Sequence, residues 1–322
     1  MEPAFSRISP VNINGINTNR LMVVLKTTGC EYAKNNNGGC TVCGFIKNAD
    51  NNISQDDIIN QFEQSLTMHN LDNVGEIDLL TLGSFLNDNE VKPQTRKALL
   101  ERVANIPHIK RISIESRAEY VTLEKLIECK KVLKDKILDF GIGLESANDY
   151  VRNSVINKNL SKDDFEKTVK TLKEAECTLL VYLLIKPPGL TENEAIIDAV
   201  ESAKYVFSVA QKYGVTARVA FEPVFISEDS NLEKLYLQSK YRMLNLWSVV
   251  DVILKTYEYG CIFIGLSDEN LSKERMPNSC PKCDNDIRRE IEYFNKTQDV
   301  SGLKKLNCEC KNLKDREKGV LV

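Results

Sequence analysis

The chain alternates short apolar strands with longer helical segments, and this alternation repeats six times through most of its length. The predicted strands are Leu21–Thr27, Ile77–Leu82, Arg111–Glu115, Phe140–Leu144, Leu179–Ile185 and Ala217–Phe221. Helical spacing of apolar residues recurs in Ile58–Met68, Thr95–Ala104, Leu123–Leu133, Phe165–Ala175, Glu194–Lys212 and Tyr241–Leu254. Strands that alternate with helices in this way pair in parallel through right-handed crossovers. The sequence therefore predicts an α/β fold built on a parallel sheet.

The number of strand–helix units narrows the architecture further. Six units are too few for a complete barrel of eight, so we predict a partial (β/α)6 barrel whose open side could admit a large substrate. In barrels of this kind the loops that follow the strands lie together at the carboxyl edge of the sheet. Functional residues are expected on those loops.

A change in composition marks a second unit near the end of the chain. After the apolar run Ile262–Leu266 the sequence becomes polar, and Met276-Pro277-Asn278-Ser279 resembles a linker. We therefore predict a barrel domain over residues 1–270 and a small cysteine-rich, metal-binding module over residues 271–322.

The net charge and the cysteine content indicate which partners the protein could bind and in which cellular compartment it works. The formal net charge of −3 provides no overall positive field for a nucleic acid, so an RNA partner would need a local basic patch or a second protein. No apolar run approaches the length of a membrane helix, and the start of the chain lacks the pattern of a signal peptide, so we expect a cytoplasmic protein without membrane association. Its ten cysteines are then more suited to metal binding than to disulfides.

Three cysteines with a distinctive spacing follow the first predicted strand. Cys30, Cys40 and Cys43 supply three thiolates, whereas a 4Fe-4S cluster has four irons to ligate, so one iron would lack a protein ligand. The amine and carboxylate of S-adenosylmethionine (SAM) can fill that position, and one electron from the cluster then cleaves SAM to a 5′-deoxyadenosyl radical. A zinc site that borrows a fourth ligand from elsewhere is the alternative.

Three later strands end in residues that suit SAM. Gly83, Ser84 and Phe85 follow the second strand, where exposed backbone groups can receive an ammonium or a carboxylate. Glu115 ends the third strand within a charged group that is either a binding signature or solvated loop charge. Glu145 follows the fourth strand and could bond ribose hydroxyls, and Arg152 could clamp a carboxylate.

The second cysteine group lies in the predicted module. Cys280 and Cys283 are separated from Cys308 and Cys310 by 24 residues, and the four thiolates match the ligand number of a structural zinc ion. A second iron–sulfur cluster is the alternative, and in either case the metal would be structural because no open coordination site is left. A module this small needs such a support to fold.

Taken together, these motifs resemble the radical SAM superfamily. The cysteine triad, the GSFL stretch from Gly83, ESRAEY from Glu115, GLES from Gly143 and KPPGLTENEA from Lys186 occur in an order typical of the branch that contains the elongator catalytic subunit and the archaeosine synthase β-subunit. The archaeosine synthase β-type is the better match, because it also covers Tyr241-Arg242, Leu246-Trp247-Ser248 and the cysteine tail.

The resemblance implies a partial barrel with the cluster on its first loop, Gly83 to Phe85 at the methionine amine, and Glu115, Glu145 and Arg152 near the ribose or carboxylate. It also implies a tRNA-binding partner and cleavage of a C–N bond in a lysine adduct of a 7-deazaguanine base in tRNA. The chain departs from the family at Phe221–Ser227, where an Asn-Pro and Val-Gln-x-Gly-Thr stretch is expected, and at Gly189, where an aromatic residue is expected after Lys186-Pro187-Pro188.

These departures lie on loops expected at the mouth of the barrel, where a substrate binds. We therefore predict a radical SAM enzyme that abstracts hydrogen from a small-molecule substrate, a metabolite or natural product. The alternative is archaeosine-type modification of tRNA with a partner subunit. The expected cofactors are a 4Fe-4S cluster, SAM and a structural zinc ion, and the expected electron donor is of flavodoxin or ferredoxin type.

Overall fold

One eight-stranded sheet organises the chain in the computed structural model, which describes residues 1–36, 38–266 and 272–312. The strands are adjacent in sequence order: β1 (Phe5–Ile13), β2 (Ile16–Leu25), β3 (Val74–Thr81), β4 (Arg111–Glu115), β5 (Ile137–Glu145), β6 (Thr178–Ile185), β7 (Ala217–Pro223) and β8 (Cys261–Ile264). β1 pairs antiparallel with β2, and every later pairing is parallel. The predicted partial barrel is confirmed, with all six predicted strands in place.

Two strands extend the sheet beyond the prediction. β1 forms a hairpin with β2 through Asn14-Gly15, where both residues have positive φ (51° and 86°), as the tight two-residue hairpin turn requires. Its residues are mostly half-buried and include Pro10, which suits an edge strand. β8 adds a seventh parallel strand at the other edge, next to β7.

Helices cover the outer face of the sheet. The described α-helices are α1 (Glu31–Asn35), α2 (Gln55–Met68), α3 (Pro93–Ala104), α4 (Leu123–Leu133), α5 (Lys162–Glu174), α6 (Glu192–Tyr213), α7 (Asn231–Leu237), α8 (Leu246–Thr256), α9 (Asp284–Thr297) and α10 (Ser301–Lys305). The expectation of a helix from Tyr241 is wrong at its start, because Asn245 caps α8 by accepting the amide of Trp247. None of the described helices is long and apolar enough to cross a membrane.

The two faces of the sheet differ in chemistry. On the helix side, residues such as Ile77, Leu79 and Ile112 are completely buried in a large apolar core. The inner face instead holds ion pairs near the amino ends of the strands. There Glu76 accepts hydrogen bonds from Arg111 (2.9 Å from Nε) and Arg218 (2.6 Å from Nη2). Burial opposes ionisation of Glu76, but the two guanidiniums outweigh it and hold its pKa well below the usual range.

The last long helix covers the side of the half-barrel between its first and last strands. α9 packs against β1, β2 and β8, so the expectation that this side is open is wrong along α9. Asn295 and Gln298 bond to the free edge of β8: Asn295 accepts the amide of Ile264 and donates to its carbonyl, both at 2.9 Å, and Gln298 does the same for Ile262. These side chains satisfy backbone groups that an edge strand otherwise leaves exposed.

This packing bears on the predicted module. α9 and the tail cysteines lie in the range predicted as a separate domain; α9 contacts the sheet, and Cys310 accepts a hydrogen bond from Trp247 on α8. The predicted boundary near residue 270 lies outside the described residues, as do residues 313–322 of the predicted module.

Replacing Asn295 should destabilise the protein through the edge of β8. Asn295→Ala leaves the buried amide and carbonyl of Ile264 without partners, which costs about 1–3 kcal/mol. Glu292→Ala, an exposed change on the same helix, should stay within about 0.5 kcal/mol of the parent. The free energy of unfolding in urea, followed by circular dichroism, measures both, and equal stability of the two variants would contradict the capping role.

Candidate active site

The loop after β2 carries the first three cysteines. Cys30 precedes the short helix α1, and the chain then turns at Gly38 and Gly39, both with positive φ, to reach Cys40 and Cys43. A Cβ at Gly39 would lie 2.9 Å from Cα of Ala33, so this close return of the chain requires glycine. The loop folds back over α1 and brings the three thiols into one region of the carboxyl edge.

The spacing of these thiols differs from that of the tail cysteines. In the part of the chain that the structure describes, the tail cysteines form the one group of three or more Cys, His, Asp or Glu side chains whose ligand atoms all lie within 4.8 Å of one another. The sulfurs of Cys30, Cys40 and Cys43 therefore do not all lie within 4.8 Å of one another. Wider spacing suits thiolates that each bind a different iron of a cluster. Burial raises the pKa of all three thiols, that of Cys43 to about 12.

The loop after β5 holds the cysteine loop in place. Its π-helical turn, Tyr150–Val155, is followed by residues that bond directly to the cysteine loop. Thr41 donates its amide to the carbonyl of Ile156 (2.8 Å) and its hydroxyl to that of Val155 (2.8 Å). Asn157 donates its side-chain amide to the carbonyl of Gly39 (2.9 Å) and accepts the hydroxyl of Tyr32 at its own carbonyl (2.7 Å).

The loop after β3 touches the first cysteine. A Cβ at Gly83 would lie 2.8 Å from Cα of Cys30, so the glycine allows the two loops to meet. The carboxylate of Glu90 joins them, because it accepts the amides of Ser84 (2.6 Å) and Glu31 (3.1 Å). Phe85 donates its amide to the carbonyl of Glu115 (2.9 Å). The carbonyl of Ser84 accepts the amide of Asn87 (3.0 Å). Since the amides of Ser84 and Phe85 are also engaged, the loop offers a ligand the carbonyl oxygens of Gly83 and Phe85, which accept from an ammonium, rather than donors for a carboxylate.

Glu115 and Glu145 face the interior at the carboxyl edge. Burial raises the pKa of Glu115 to about 7, and the hydroxyl of Tyr182 bonds to its carboxylate. Glu145 forms a 2.6 Å ion pair with Lys158. A Cβ at Gly143 would lie 2.3 Å from Oε1 of Glu145 and 2.4 Å from Nζ of Lys158, so the absence of a side chain there makes room for the pair.

Arg152 lies away from this interior space. It is fully buried, and its guanidinium donates to the carbonyls of Leu160 (2.6 Å) and Ser146 (2.9 Å) and pairs with Asp149. Every one of these partners belongs to the loop after β5. In this arrangement Arg152 fixes the loop that carries Asn157 and Lys158, and its contact with a ligand carboxylate stays a prediction.

A buried carboxylate organises the opposite side of the mouth. Glu192, the first residue of α6, accepts hydrogen bonds from Lys186 (2.8 Å) and from the hydroxyl of Ser248 on α8 (2.5 Å). Lys186 has a positive φ of 65°, and its carbonyl accepts the hydroxyl of Tyr241 (2.8 Å). The structure thus joins two sequence motifs through contacts between residues 55 and 56 positions apart.

Most side chains of the segment Phe221–Ser227 are buried. Phe221 and Ile226 are completely buried, and Val224 and Ser227 are nearly so. Val224 and Ile226 pack with Val151 in a small apolar cluster beneath the loops. Glu222 and Phe225 are the partly exposed residues of this segment.

Several residues of the site were not among those predicted. Lys158 and Arg117 lie within predicted motifs, but nothing in the spacing shows that they approach the thiols, and Glu90 is an isolated acidic residue in the sequence. The side-chain contacts identify all three. The guanidinium of Arg117 lies 3.9 Å above the ring of Tyr32 and bonds to Glu119 (2.5 Å), and its charge favours the thiolates of Cys30 and Cys40.

The four tail cysteines form a tight cluster. Neighbouring sulfurs are 3.4–3.5 Å apart, close to the ~3.8 Å edge of a tetrahedron with metal–sulfur bonds of ~2.3 Å. Burial opposes ionisation of Cys280, but hydrogen bonds from the other three thiols outweigh it and lower its pKa to about 7. Trp247 on α8 donates to the sulfur of Cys310 (3.3 Å). This geometry fits one metal ion and is too compact for a 4Fe-4S cluster.

Comparison with known proteins gives a consistent result, although no protein-family model matches the chain. Archaeosine synthase subunit beta of Methanosarcina acetivorans is 30% identical over 314 residues, 97% of this chain and 88% of the relative. The same subunit of Thermococcus kodakarensis is 31% identical over 305 residues, 94% of this chain and 92% of the relative.

Solved structures show the same fold at lower identity. Elp3 of Methanocaldococcus infernus, with an N-terminal deletion, superposes with a TM-score of 0.54 and 13% identity over 86% of this chain. Methylornithine synthase (PylB) superposes with a TM-score of 0.53 and 12% identity over 77%. The chain spans 63% and 64% of these two proteins, respectively.

Removing one tail thiolate should release a metal ion and destabilise the tail. Cys283→Ser should lower the melting temperature by several degrees, because a structural metal contributes directly to folding free energy. Elemental analysis should show one metal ion fewer per chain than in the parent, whereas Cys261→Ser, which changes an exposed thiol outside both clusters, should keep the full content. A parent protein with a folded but metal-free tail would contradict the assignment.

Proposed function

We propose that this protein generates a substrate radical from SAM to modify tRNA, and the premise is its family: the chain belongs to the archaeosine synthase subunit beta family. The predicted membership of the radical SAM superfamily is confirmed by this family and by the fold. The protein is therefore an enzyme.

One observation carries the proposal within this chain. Three cysteines whose sulfurs do not all lie within 4.8 Å of one another lie at the carboxyl edge of a half-barrel, against a glycine of the β3 loop and beside an interior ion pair. We assign Cys30, Cys40 and Cys43 to a 4Fe-4S cluster. When bound, the cluster supplies the electron that cleaves SAM to the 5′-deoxyadenosyl radical.

The protein's own residues would orient SAM. We propose that Gly83, Ser84 and Phe85 hold the methionine ammonium through the carbonyls of Gly83 and Phe85, because the amides of Ser84 and Phe85 are already donated and the carbonyl of Ser84 accepts the amide of Asn87. Glu115 and Glu145 face the same interior and suit the ribose hydroxyls. Arg152 would act indirectly, by fixing the loop after β5. A low-potential donor of flavodoxin or ferredoxin type would supply the electron, and zinc is the ion proposed for the tail.

The substrate side favours the archaeosine-type reaction. We propose that the substrate is the lysine adduct of a 7-deazaguanine base in tRNA, and that the radical breaks its C–N bond. Part of the sequence argument for a small molecule rested on the segment Phe221–Ser227, yet Phe221, Val224 and Ile226 are buried. Their apolar character therefore reflects packing rather than substrate choice.

A partner protein would be needed to bind the RNA. Affinity for RNA comes mainly from neutralising phosphates, and a chain with a net charge of −3 offers few such contacts. We therefore propose that a tRNA-binding subunit delivers the substrate. A small-molecule substrate stays the second candidate, supported by the departure at Gly189 and by the acidic Glu222 in the mouth segment.

Loss of the three thiolates should abolish cleavage of SAM. The triple variant Cys30→Ala, Cys40→Ala, Cys43→Ala should bind about four irons fewer than the parent under anaerobic reconstitution. It should form no 5′-deoxyadenosine with dithionite and SAM, as measured by chromatography. Cys261→Ala serves as the control and should retain both iron and activity. 5′-Deoxyadenosine formation by the triple variant would refute the assignment.

The substrate can be tested with RNA and a partner. The reduced enzyme and SAM are incubated with tRNA carrying the lysine adduct, with and without a tRNA-binding partner subunit. We expect the modified nucleoside, detected by mass spectrometry, to form only when the partner subunit is present. If RNA-free metabolite extract stimulates 5′-deoxyadenosine release and the tRNA mixture does not, the small-molecule alternative is correct.

A further inference from the structure

A buried ammonium lies beside the cysteine loop, next to the residues that hold that loop in place. Residues 156–158 follow residues 39–41 closely, because Thr41 bonds to the carbonyl of Ile156 and Asn157 bonds to that of Gly39. Lys158 is the next residue. Its position is therefore fixed by the same contacts that fix Cys40.

The partner of this ammonium is held just as firmly. Nζ of Lys158 and Oε1 of Glu145 are 2.6 Å apart, and each side chain is only 14% exposed. The space for the pair comes from Gly143, as described above, and Glu145 adopts a positive φ of 66° to reach it. A non-glycine residue in that conformation is energetically costly, which marks a position held by its surroundings.

The two charges act on the thiols with opposite sign. Lys158 directly follows Asn157, whose side chain donates to the carbonyl of Gly39 (2.9 Å), the residue before Cys40. Glu145 is the last residue of β5 and reaches this region as the partner of Lys158. Arg117 is the other cation that acts on Cys40, but it is bonded to Glu119 and stacked on Tyr32.

We propose that Lys158 raises the reduction potential of the cluster at Cys30, Cys40 and Cys43, and that Glu145 tempers this effect. The inference rests on the cluster assignment of the proposed function. Reduction adds one negative charge to the cluster, so a nearby fixed cation stabilises the reduced state and a nearby carboxylate destabilises it. The pair would thus tune how readily the cluster accepts the electron that SAM cleavage requires.

The test measures the cluster potential without SAM, so that ligand binding does not contribute. Dithionite redox titrations of reconstituted protein, followed by electron paramagnetic resonance of the reduced cluster, give the midpoint potential. Lys158→Met should lower it, with about a tenfold smaller ratio of reduced to oxidised cluster at the parent midpoint, equivalent to about 59 mV for one electron. Glu145→Gln should shift it the opposite way, and Lys158→Arg should stay near the parent.

A matched control distinguishes the effect of a charge near the cluster from the effect of removing any lysine charge. Lys212→Met breaks the ion pair with Glu166 on the helix layer and should leave the potential unchanged. Opposite shifts support the proposal, because damage to the loop would move Lys158→Met and Glu145→Gln in the same direction. If Lys158→Met fails to hold iron, Glu145→Gln alone decides the test. A higher midpoint potential in Glu145→Gln than in the parent supports the proposal, and an unchanged or lower one overturns it.

Two other results have separate meanings. A parent protein that binds no cluster overturns the proposed function and this inference together. If Lys158→Met and Glu145→Gln both hold a full cluster with the parent's midpoint potential, only this inference is overturned. An altered affinity for SAM in these variants would then show that the Lys158–Glu145 pair binds the ligand.

Discussion

A charge inside a protein must find a partner there, and this requirement shapes both ends of the half-barrel. At the amino ends of the strands, Glu76 lies between two arginines and closes the interior with ion pairs. At the carboxyl ends the charges are sparser: Glu145 pairs with Lys158, and Glu115 has the hydroxyl of Tyr182. In the first arrangement both oxygens of Glu76 accept from arginines, and it serves stability. The carboxylates at the carboxyl ends of the strands still have oxygens that can accept from further donors. They lie at the same edge of the sheet as the thiols of Cys30, Cys40 and Cys43.

The loops at the carboxyl edge are joined chiefly to one another. Glu90 connects the β3 loop to the cysteine loop, Thr41 connects the cysteine loop to the β5 loop, and Glu192 connects the β6 loop to α8. Each link is a hydrogen bond made by a buried or half-buried group, so a shift in one loop breaks contacts in the next. Through Trp247, α8 also reaches the sulfur of Cys310, which links the mouth of the barrel to the tail cysteines.

The sequence predicted the parallel sheet and both cysteine groups because those features depend on local pattern and spacing. The hairpin of β1 could have been found from Asn14-Gly15, but its half-buried residues lack a clear alternation. Lys158 and Glu90 could not have been assigned, because their roles depend on loops distant in sequence. For Phe221–Ser227 the sequence instead suggested contact with substrate, because the segment follows a strand at the mouth of the barrel. In the structure most of its side chains are buried. Strand order thus places a loop, but only packing decides which of its side chains face the ligand.

The position of α9 has a consequence for the order in which the protein can assemble. Asn12 on the first strand bonds to the carbonyl of Lys296, and Asn295 on the same helix bonds to the last strand, so one helix that follows all eight strands bridges the two edges of the sheet. Until residues 284–297 have been made and have folded, β8 has an unpaired edge that can capture another strand. Docking of α9, rather than formation of the last strand, is then the step that protects the half-barrel from aggregation.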